Sequence, residues 1–268
     1  MPAVQLDRLQ FEINEAAGHI GNPAAFRKSV LALFEKYADH SYRPGEFISG
    51  TVLIPSYHIT PLVLRQIEIR MSQVCRLYPH TSLQAADALW QSEYQEPRRL
   101  AALMLGQIPP FPPEPILQRI HQWVQPPIDP EFLTVVLNLG TIRLRRESPN
   151  SLIQLIESWI NQVDPISRKT ALKALVPLIS DGQFENIPAI FRLISPLIQT
   201  APSNIQSDLQ DVIQAMASRS PSETAYFLRQ ILGLATSPAT IRLIRRCLPY
   251  FSESNQSSLR SALATRTK

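Results

Sequence analysis

Seven short polar residues in this chain are each followed at once by proline, and an apolar stretch with helical spacing then begins. The seven pairs are Asn22-Pro23, Thr60-Pro61, Asp129-Pro130, Ser148-Pro149, Asp164-Pro165, Ser220-Pro221 and Ser237-Pro238. A polar side chain at this place accepts a hydrogen bond from a free N–H of the first helical turn, and the φ of proline already suits a helix. The pairs therefore predict helix starts, and closely spaced starts predict stacked helical hairpins.

Apolar residues recur at three- and four-residue spacing after each start, which is typical of amphipathic helices. Starts of successive helix pairs at Asp129, Asp164, Ser203 and Ser237 are 35, 39 and 34 residues apart. This spacing brackets the periods of tetratricopeptide and HEAT repeats, and the tetratricopeptide pattern of tryptophan, glycine and tyrosine is absent. We predict an all-α, HEAT/armadillo-like helical-repeat solenoid of about six helix pairs, with a generic all-α bundle as the alternative.

The repeat pattern predicts one domain over residues 1–268, with a short N-terminal helical extension over 1–21. An irregular loop interrupts the pattern over 41–59, where glycines and prolines separate the apolar residues. A single helix is expected over 129–144, where apolar residues recur at helical spacing. Only eight glycines occur, which disfavours doubly wound α/β folds and β-sandwiches because both need many turns with positive φ.

Cysteine usage and hydropathy bear on the compartment. Cys75 and Cys247 each lie in an apolar helical context, so we expect two packed, reduced thiols. The sequence has no run of 18 apolar residues and no apolar leader near Met1, which predicts a cytoplasmic protein without membrane contact.

The familiar catalytic strings are missing from the sequence. No Gly-x-Gly-x-x-Gly, P-loop, Gly-x-Ser-x-Gly or His-Glu-x-x-His motif occurs. None of the five histidines shares a helical face with a second histidine or with a carboxylate at ligand spacing, so no metal site and no cofactor are expected. Trp123 and Trp159 fall in apolar helical stripes and are expected in the core.

Positive charge is concentrated in the C-terminal half of the chain. Residues 1–139 carry 11 basic and 13 acidic side chains, whereas residues 140–268 carry 15 basic and 9 acidic ones. The basic residues form three clusters: Arg143, Arg145 and Arg146; Arg168, Lys169 and Lys173; and Arg242, Arg245 and Arg246. Stacked repeats could align these clusters into one strip that contacts phosphates. The alternatives are that they complement helix dipoles or form an ordinary solvated surface.

One segment carries a family likeness. Residues 88–105 read ALWQSEYQEPRRLAALML, in which a Leu-Trp pair and a short acidic link precede Glu96, Arg98 and a run of alanine and leucine. This segment resembles the bacterial DNA alkylation-repair family, the HEAT-like alkylpurine DNA glycosylases. By helix order the likeness extends over about 24–235. We expect Trp90 to plug the hairpin, Glu96 to lie in the first turn of the next helix, and Arg98 or Arg99 to reach back toward Glu96.

The resemblance implies a C-shaped stack that holds duplex DNA in a basic concave cleft. It also implies hydrolysis of the N-glycosidic bond of a cationic alkylated purine without base flipping. In the family an aspartate stabilises the developing sugar cation, and two tryptophans contact the lesion by cation–π interactions.

This sequence departs from the family pattern at those catalytic positions. The family's Ser-Trp-Trp-Asp-x-x-Asp stretch falls on 126–132, where Ile128 takes the place of the tryptophan and Phe132 that of the aspartate. The second tryptophan falls on Gln210-Asp211 and is also missing. Asp129 and Glu131 are the only nearby carboxylates, and Asp129 also fits an N-cap.

Three hypotheses follow. The first is a non-catalytic relative of the glycosylases that binds duplex DNA through its basic clusters. The second is an active glycosylase that uses Asp129 or Glu131 as a displaced carboxylate. The third is a protein-interaction scaffold whose basic residues meet an acidic protein partner.

Overall fold

The computed structural model describes residues 5–39, 54–234 and 237–265, and every regular element in these ranges is a helix. This confirms the all-α prediction, and the packing is consistent with an α-helical repeat solenoid. The α-helices are α1 (Leu6–Gly18), α2 (Pro23–Lys36), α3 (Pro61–Leu77), α4 (Pro79–Trp90), α5 (Gln95–Gln107), α6 (Glu114–Trp123), α7 (Pro130–Val135), α8 (Ile142–Glu147), α9 (Pro149–Ile160), α10 (Pro165–Ser180), α11 (Ile187–Thr200), α12 (Gln206–Arg219), α13 (Pro221–Gly233), α14 (Pro238–Cys247) and α15 (Glu253–Ala264). In the described ranges, no helix has the length and apolar character that a membrane crossing requires.

The seven proline signals all mark helix starts, as predicted. Each proline is the first residue of its helix, namely α2, α3, α7, α9, α10, α13 and α14. The side-chain caps are fewer than expected, because only Asn22, Asp129, Asp164 and Ser237 accept a hydrogen bond from the first turn.

Thr60, Ser148 and Ser220 precede proline without forming a side-chain cap. The backbone of Ser148 and Ser220 has ψ of 52° and 73°, outside the extended conformation that aims an N-cap oxygen at the free N–H groups. At the starts of α3, α9 and α13, the proline is therefore present without the side-chain cap that the sequence predicted.

The chain folds as two compact units, 1–144 and 145–268, and the division falls inside α8. In the first unit, α1, α3, α5 and α7 follow one another in one layer, and α2 packs on α4 in a second layer. In the second unit, α10, α12 and α14 form one layer, and α11, α13 and α15 form the other. Alternate helices thus pack side by side, as in helical repeats.

The predicted single helix over 129–144 is wrong. Instead, α7 ends at Val135, a π-helical turn spans Val136–Gly140, and α8 begins at Ile142. A wider turn breaks the 3.6-residue register but leaves the apolar pattern almost unchanged, so spacing alone could not reveal it. The hydroxyl of Thr141 donates to the carbonyl of Leu137, a polar contact that satisfies one carbonyl of this turn.

The core contains the residues that the pattern assigned to it. Trp123 and Trp159 are 7% and 1% exposed. Cys75 and Cys247 are buried free thiols, and burial raises the pKa of both to about 12. The prediction that both cysteines are packed in the core is confirmed.

The N-terminal extension contains a helix, α1, as expected. The irregular loop predicted over 41–59 lies largely outside the described residues, which resume at Ile54. Residues 54–60 have no regular secondary structure, in agreement with the prediction.

Candidate nucleic-acid interface

In the first unit, residues 88–105, called the signature segment below, contribute Trp90 to an aromatic column formed with Trp123 and Phe132. Trp90 is the last residue of α4, and its ring stacks on Trp123 of α6 with centroids 4.5 Å apart. The rings of Trp90 and Phe132 of α7 meet in an edge-to-face arrangement, with centroids 6.0 Å apart. Trp90 therefore contacts both α6 and α7. Its expected role of plugging the hairpin stays a prediction.

Arg98 is part of this column. Its guanidinium lies 4.5 Å from the ring centroid of Phe132 and 5.2 Å from that of Trp90, and it donates to the carbonyl of Ser92. Burial lowers the pKa of Arg98, and the charge of Glu93 opposes that effect. The aromatic faces and the carbonyl compensate for the lost hydration of the cation, so Arg98 is a structural arginine.

Glu96 lies in the first turn of α5, as predicted, but its partners are different. Its carboxylate is buried and accepts from the hydroxyl of Ser56 at 2.7 Å and from the backbone N–H of Tyr57 at 3.0 Å. Arg99 instead pairs with Glu68 on α3 at 3.0 Å. The expectation that Arg98 or Arg99 reaches back to Glu96 is wrong, because the chain at 54–60 occupies that side of Glu96.

Phe132, which stands where the resemblance places the catalytic aspartate, is 4% exposed and packed against Arg98. Asp129 caps α7 and accepts from the N–H of Glu131 at 2.8 Å. Glu131 is exposed and accepts a hydrogen bond from the side-chain amide of Gln95. Both candidate carboxylates thus have local structural partners.

The first basic cluster is tied into the fold. Arg143 donates to the carbonyl of Gln107 at 3.1 Å. Arg146 donates to Asp181 at 3.0 Å, and Arg145, which is 9% exposed, lies 3.7 Å from the same carboxylate. Burial lowers the pKa of Arg145, an effect that the charge of Asp181 opposes. Burial disfavours ionisation of Asp181, but hydrogen bonds from the Gln183 N–H and Arg146 outweigh it and lower its pKa.

The second cluster is divided between two roles. Arg168 donates to the carbonyls of Ile160 and Gln162 at 3.3 and 3.1 Å, where it closes the end of α9. Lys169 is exposed and Lys173 is half-buried, one turn apart on α10. These two lysines therefore share the outer face of that helix.

The third cluster lies on α14 and is open to solvent. Arg242, Arg245 and Arg246 are all exposed. Their spacing of three and four residues places them side by side on one side of α14, and we call this group the arginine fan. Arg246 approaches the side-chain oxygen of Gln206 on α12 at 3.5 Å. Neither Arg242 nor Arg245 forms an ion pair with any carboxylate in the described ranges.

Two carboxylates that were not predicted as site residues lie on the helix between those that carry the second and third clusters. Asp208 and Asp211 are one turn apart at the start of α12, between α10 and α14 in the same layer. Burial raises the pKa of Asp208, which is 7% exposed, although Lys173 and Lys169 attract its charge. Helical periodicity places both aspartates on one face, but only the packing shows that α10 and α14 flank their helix.

Among the described residues, no group of three or more histidine, cysteine, aspartate or glutamate side chains is arranged to hold a metal ion. We use the term cationic face for five side chains on two helices of this layer, Lys169 and Lys173 of α10 and Arg242, Arg245 and Arg246 of α14.

Comparison with protein families gives one match. The family model described as DNA alkylation repair enzyme matches residues 63–246, more than half of the chain. The matched range includes the signature segment, the aromatic column and the whole cationic face. No curated protein and no solved structure matches the chain significantly.

Proposed function

The chain belongs to the DNA alkylation repair enzyme family, and from this membership we propose that it binds duplex DNA without cleaving it, through the cationic face of its second unit. Membership in a DNA repair family is the reason for proposing DNA as the ligand. The chemistry of the face supplies the mode of binding, in which lysine and arginine side chains contact phosphate oxygens.

The arginine fan on α14 is the observation that carries the proposal. Arg242 and Arg245 are exposed and make no ion pair with the described carboxylates. A planar guanidinium that is not engaged within the fold is suited to bidentate contact with a phosphate. Arg145 and Arg146, by contrast, are engaged by Asp181, so the proposal does not rest on them.

The proposal that the protein is non-catalytic rests on the surroundings of Phe132, Asp129 and Glu131. A carboxylate that stabilises a sugar cation must face the DNA at a fixed distance from the scissile bond. Phe132 is a buried aromatic, Asp129 is committed to the start of α7, and Glu131 is held by Gln95. We therefore expect no release of alkylated bases.

Binding is tested by fluorescence anisotropy with a labelled duplex at a series of salt concentrations. Affinity should fall steeply with salt, and the double variant R242A/R245A should reduce the slope of log K against log salt by about 2. The matched control is R192A/R260A, which removes two exposed arginines from α11 and α15 in the other layer. Equal losses of DNA affinity in both variants, or an affinity that does not change with salt, would exclude the cationic face as the DNA-binding surface. Either result would favour an acidic protein partner.

Catalysis is tested on methylated duplex DNA by measuring released base. The expected result is no release above the uncatalysed rate. Release that persists in the wild type and disappears in D129N or E131Q would establish the alternative, an active glycosylase with a displaced carboxylate. D129N is informative because asparagine is an equally good N-cap, so the helix start is preserved.

A further inference from the structure

Helices α3 and α5 end together at one edge of the first unit. In the middle of the pair, Arg99 of α5 pairs with Glu68 of α3. Near the helix ends, the guanidinium of Arg76 donates to the side-chain oxygen of Gln107 at 3.1 Å. Both contacts join residues 31 positions apart, so the two helices run parallel with their C-terminal ends side by side. Arg143 donates to the carbonyl of Gln107, which brings the start of α8 to the same edge.

Large apolar side chains are exposed beside this contact between the helix ends. Leu77 and Tyr78 follow Arg76 directly and are 67% and 56% exposed. Phe111 follows Gln107 by four residues and is 70% exposed. We call Arg76, Leu77, Tyr78 and Phe111 the α3–α5 edge. A group of exposed apolar side chains next to a cation is typical of an interaction surface.

Proline follows each of the two exposed rings at once. Pro79 comes after Tyr78, and Pro112 comes after Phe111, which Pro110 also precedes. Proline fixes its own φ and restricts the backbone of the residue before it. The segments that carry both rings are therefore stiff, so less conformational freedom is lost when a ligand binds to them.

The size and the charge of the α3–α5 edge favour a flexible anionic strand over a folded protein. Two rings exposed to these extents offer on the order of 200–300 Å², whereas a stable protein–protein interface buries about 800 Å² on each partner. Arg76 forms no ion pair with a carboxylate in the described ranges. Glu114 is the one carboxylate within five residues of Leu77 or Phe111 in the sequence. The edge therefore combines aromatic rings with an uncompensated guanidinium.

We infer that the α3–α5 edge binds an unpaired DNA strand, whose bases stack on Tyr78 and Phe111 and whose phosphate is contacted by Arg76. The inference goes beyond the proposed function, because it assigns to the first unit a site for single strands that is separate from the cationic face. Every base has a π face, so this binding should tolerate changes of sequence. The phosphate contact releases counterions, so affinity should fall as salt is added.

Fluorescence anisotropy with labelled oligo(dT) of about 12 nucleotides tests the inference. Y78A/F111A should weaken binding about 100-fold, which is about tenfold for each lost stacking contact. The matched control is F11A/Y226A, because Phe11 of α1 and Tyr226 of α13 are 70% and 57% exposed. This control should bind oligo(dT) as tightly as the wild type does. F111W should also keep the affinity, and stacking of a base should quench the fluorescence of the new tryptophan. Circular dichroism of each variant checks that the fold is kept.

A duplex of the same length separates this inference from the proposed function. R242A/R245A should lose affinity for the duplex and keep most of its affinity for oligo(dT). Equal oligo(dT) affinities of Y78A/F111A and the control variant would overturn the α3–α5 edge as a strand-binding site. Absence of oligo(dT) binding by the wild type would also overturn it and favour a protein partner. Oligo(dT) binding without duplex binding would overturn the proposed function alone.

Discussion

Gly106 of α5 lies against the backbone carbonyl of Leu139, so closely that a Cβ at Gly106 would be 1.8 Å from the Leu139 oxygen. Leu139 belongs to the π-helical turn, and this turn packs against α5. The obstacle is backbone and not a flexible side chain, so no rotamer change can relieve it. The close approach of the two elements therefore requires glycine at position 106.

We expect G106A to destabilise the protein by about 3 kcal/mol or more, because α5 must move away from the π-helical turn. Chemical denaturation measures the free energy of unfolding. G18A is the matched control in the same unit, since a Cβ at Gly18 meets nothing within 4 Å. Similar stability of G106A and G18A would show that the two backbones are further apart than the structure places them.

Arg98 supplies a second prediction through the aromatic column. R98M keeps an unbranched side chain but removes the cation from between Trp90 and Phe132 and the hydrogen bond to Ser92. The expected loss is about 2 kcal/mol of stability, from the cation–π contacts and one charge-assisted hydrogen bond. Tryptophan fluorescence should change in the folded state, because Trp90 loses its neighbour. R70M on α3, whose terminal nitrogen contacts Gln73 of the same helix, serves as the control.

Asp181 supplies a prediction with a defined pH dependence. D181N removes the counter-charge of buried Arg145, at an expected cost of about 2 kcal/mol at pH 7. Because the folded-state pKa of Asp181 is lowered, its contribution is present above the unfolded pKa and is lost as pH falls through the folded one.

The stability gap between the wild type and D181N should therefore shrink below about pH 4. Unfolding free energies at several pH values measure it, with E157Q as the surface control. A gap that is constant down to pH 3 would contradict the ionic origin of the effect.

The proposed DNA binding is expected to depend on the protonation of Asp208. Burial raises the pKa of Asp208, so it takes up a proton at a higher pH than an ordinary aspartate, and its attraction for Lys169 and Lys173 is then lost. Affinity for duplex DNA should rise as pH falls toward the raised pKa of Asp208, and this rise should be largely absent in D208N. All five histidines lie between positions 19 and 121, so none in the second unit contributes to the change. An equal rise in D208N would assign the effect to another group.

The same raised pKa has a consequence for stability. Ionised Asp208 is disfavoured by burial, so the folded state gains stability as pH falls through the folded pKa. D208N should accordingly unfold at a slightly higher temperature than the wild type at pH 7. A lower melting temperature would show that Lys169 and Lys173 more than compensate for the burial of the carboxylate.

The sequence determined the helix starts and the family by itself, because both depend on local chemistry. A proline fixes its own φ wherever the chain is folded, so all seven signals were reliable. The order of Trp90, Glu96 and Arg98 likewise carried the family likeness, which the match over 63–246 confirms. HEAT as the repeat type stays a prediction.

Only the tertiary structure decided what the charged side chains contact. Nine basic residues looked equivalent in the sequence, yet Arg145 is buried against Asp181, 36 positions further along the chain, while Arg245 faces solvent. Gly106 and Leu139 likewise meet through helix packing, although they are 33 positions apart in the chain. Local spacing sets which face of a helix a residue occupies, but the neighbour of that face is set by how whole helices stack.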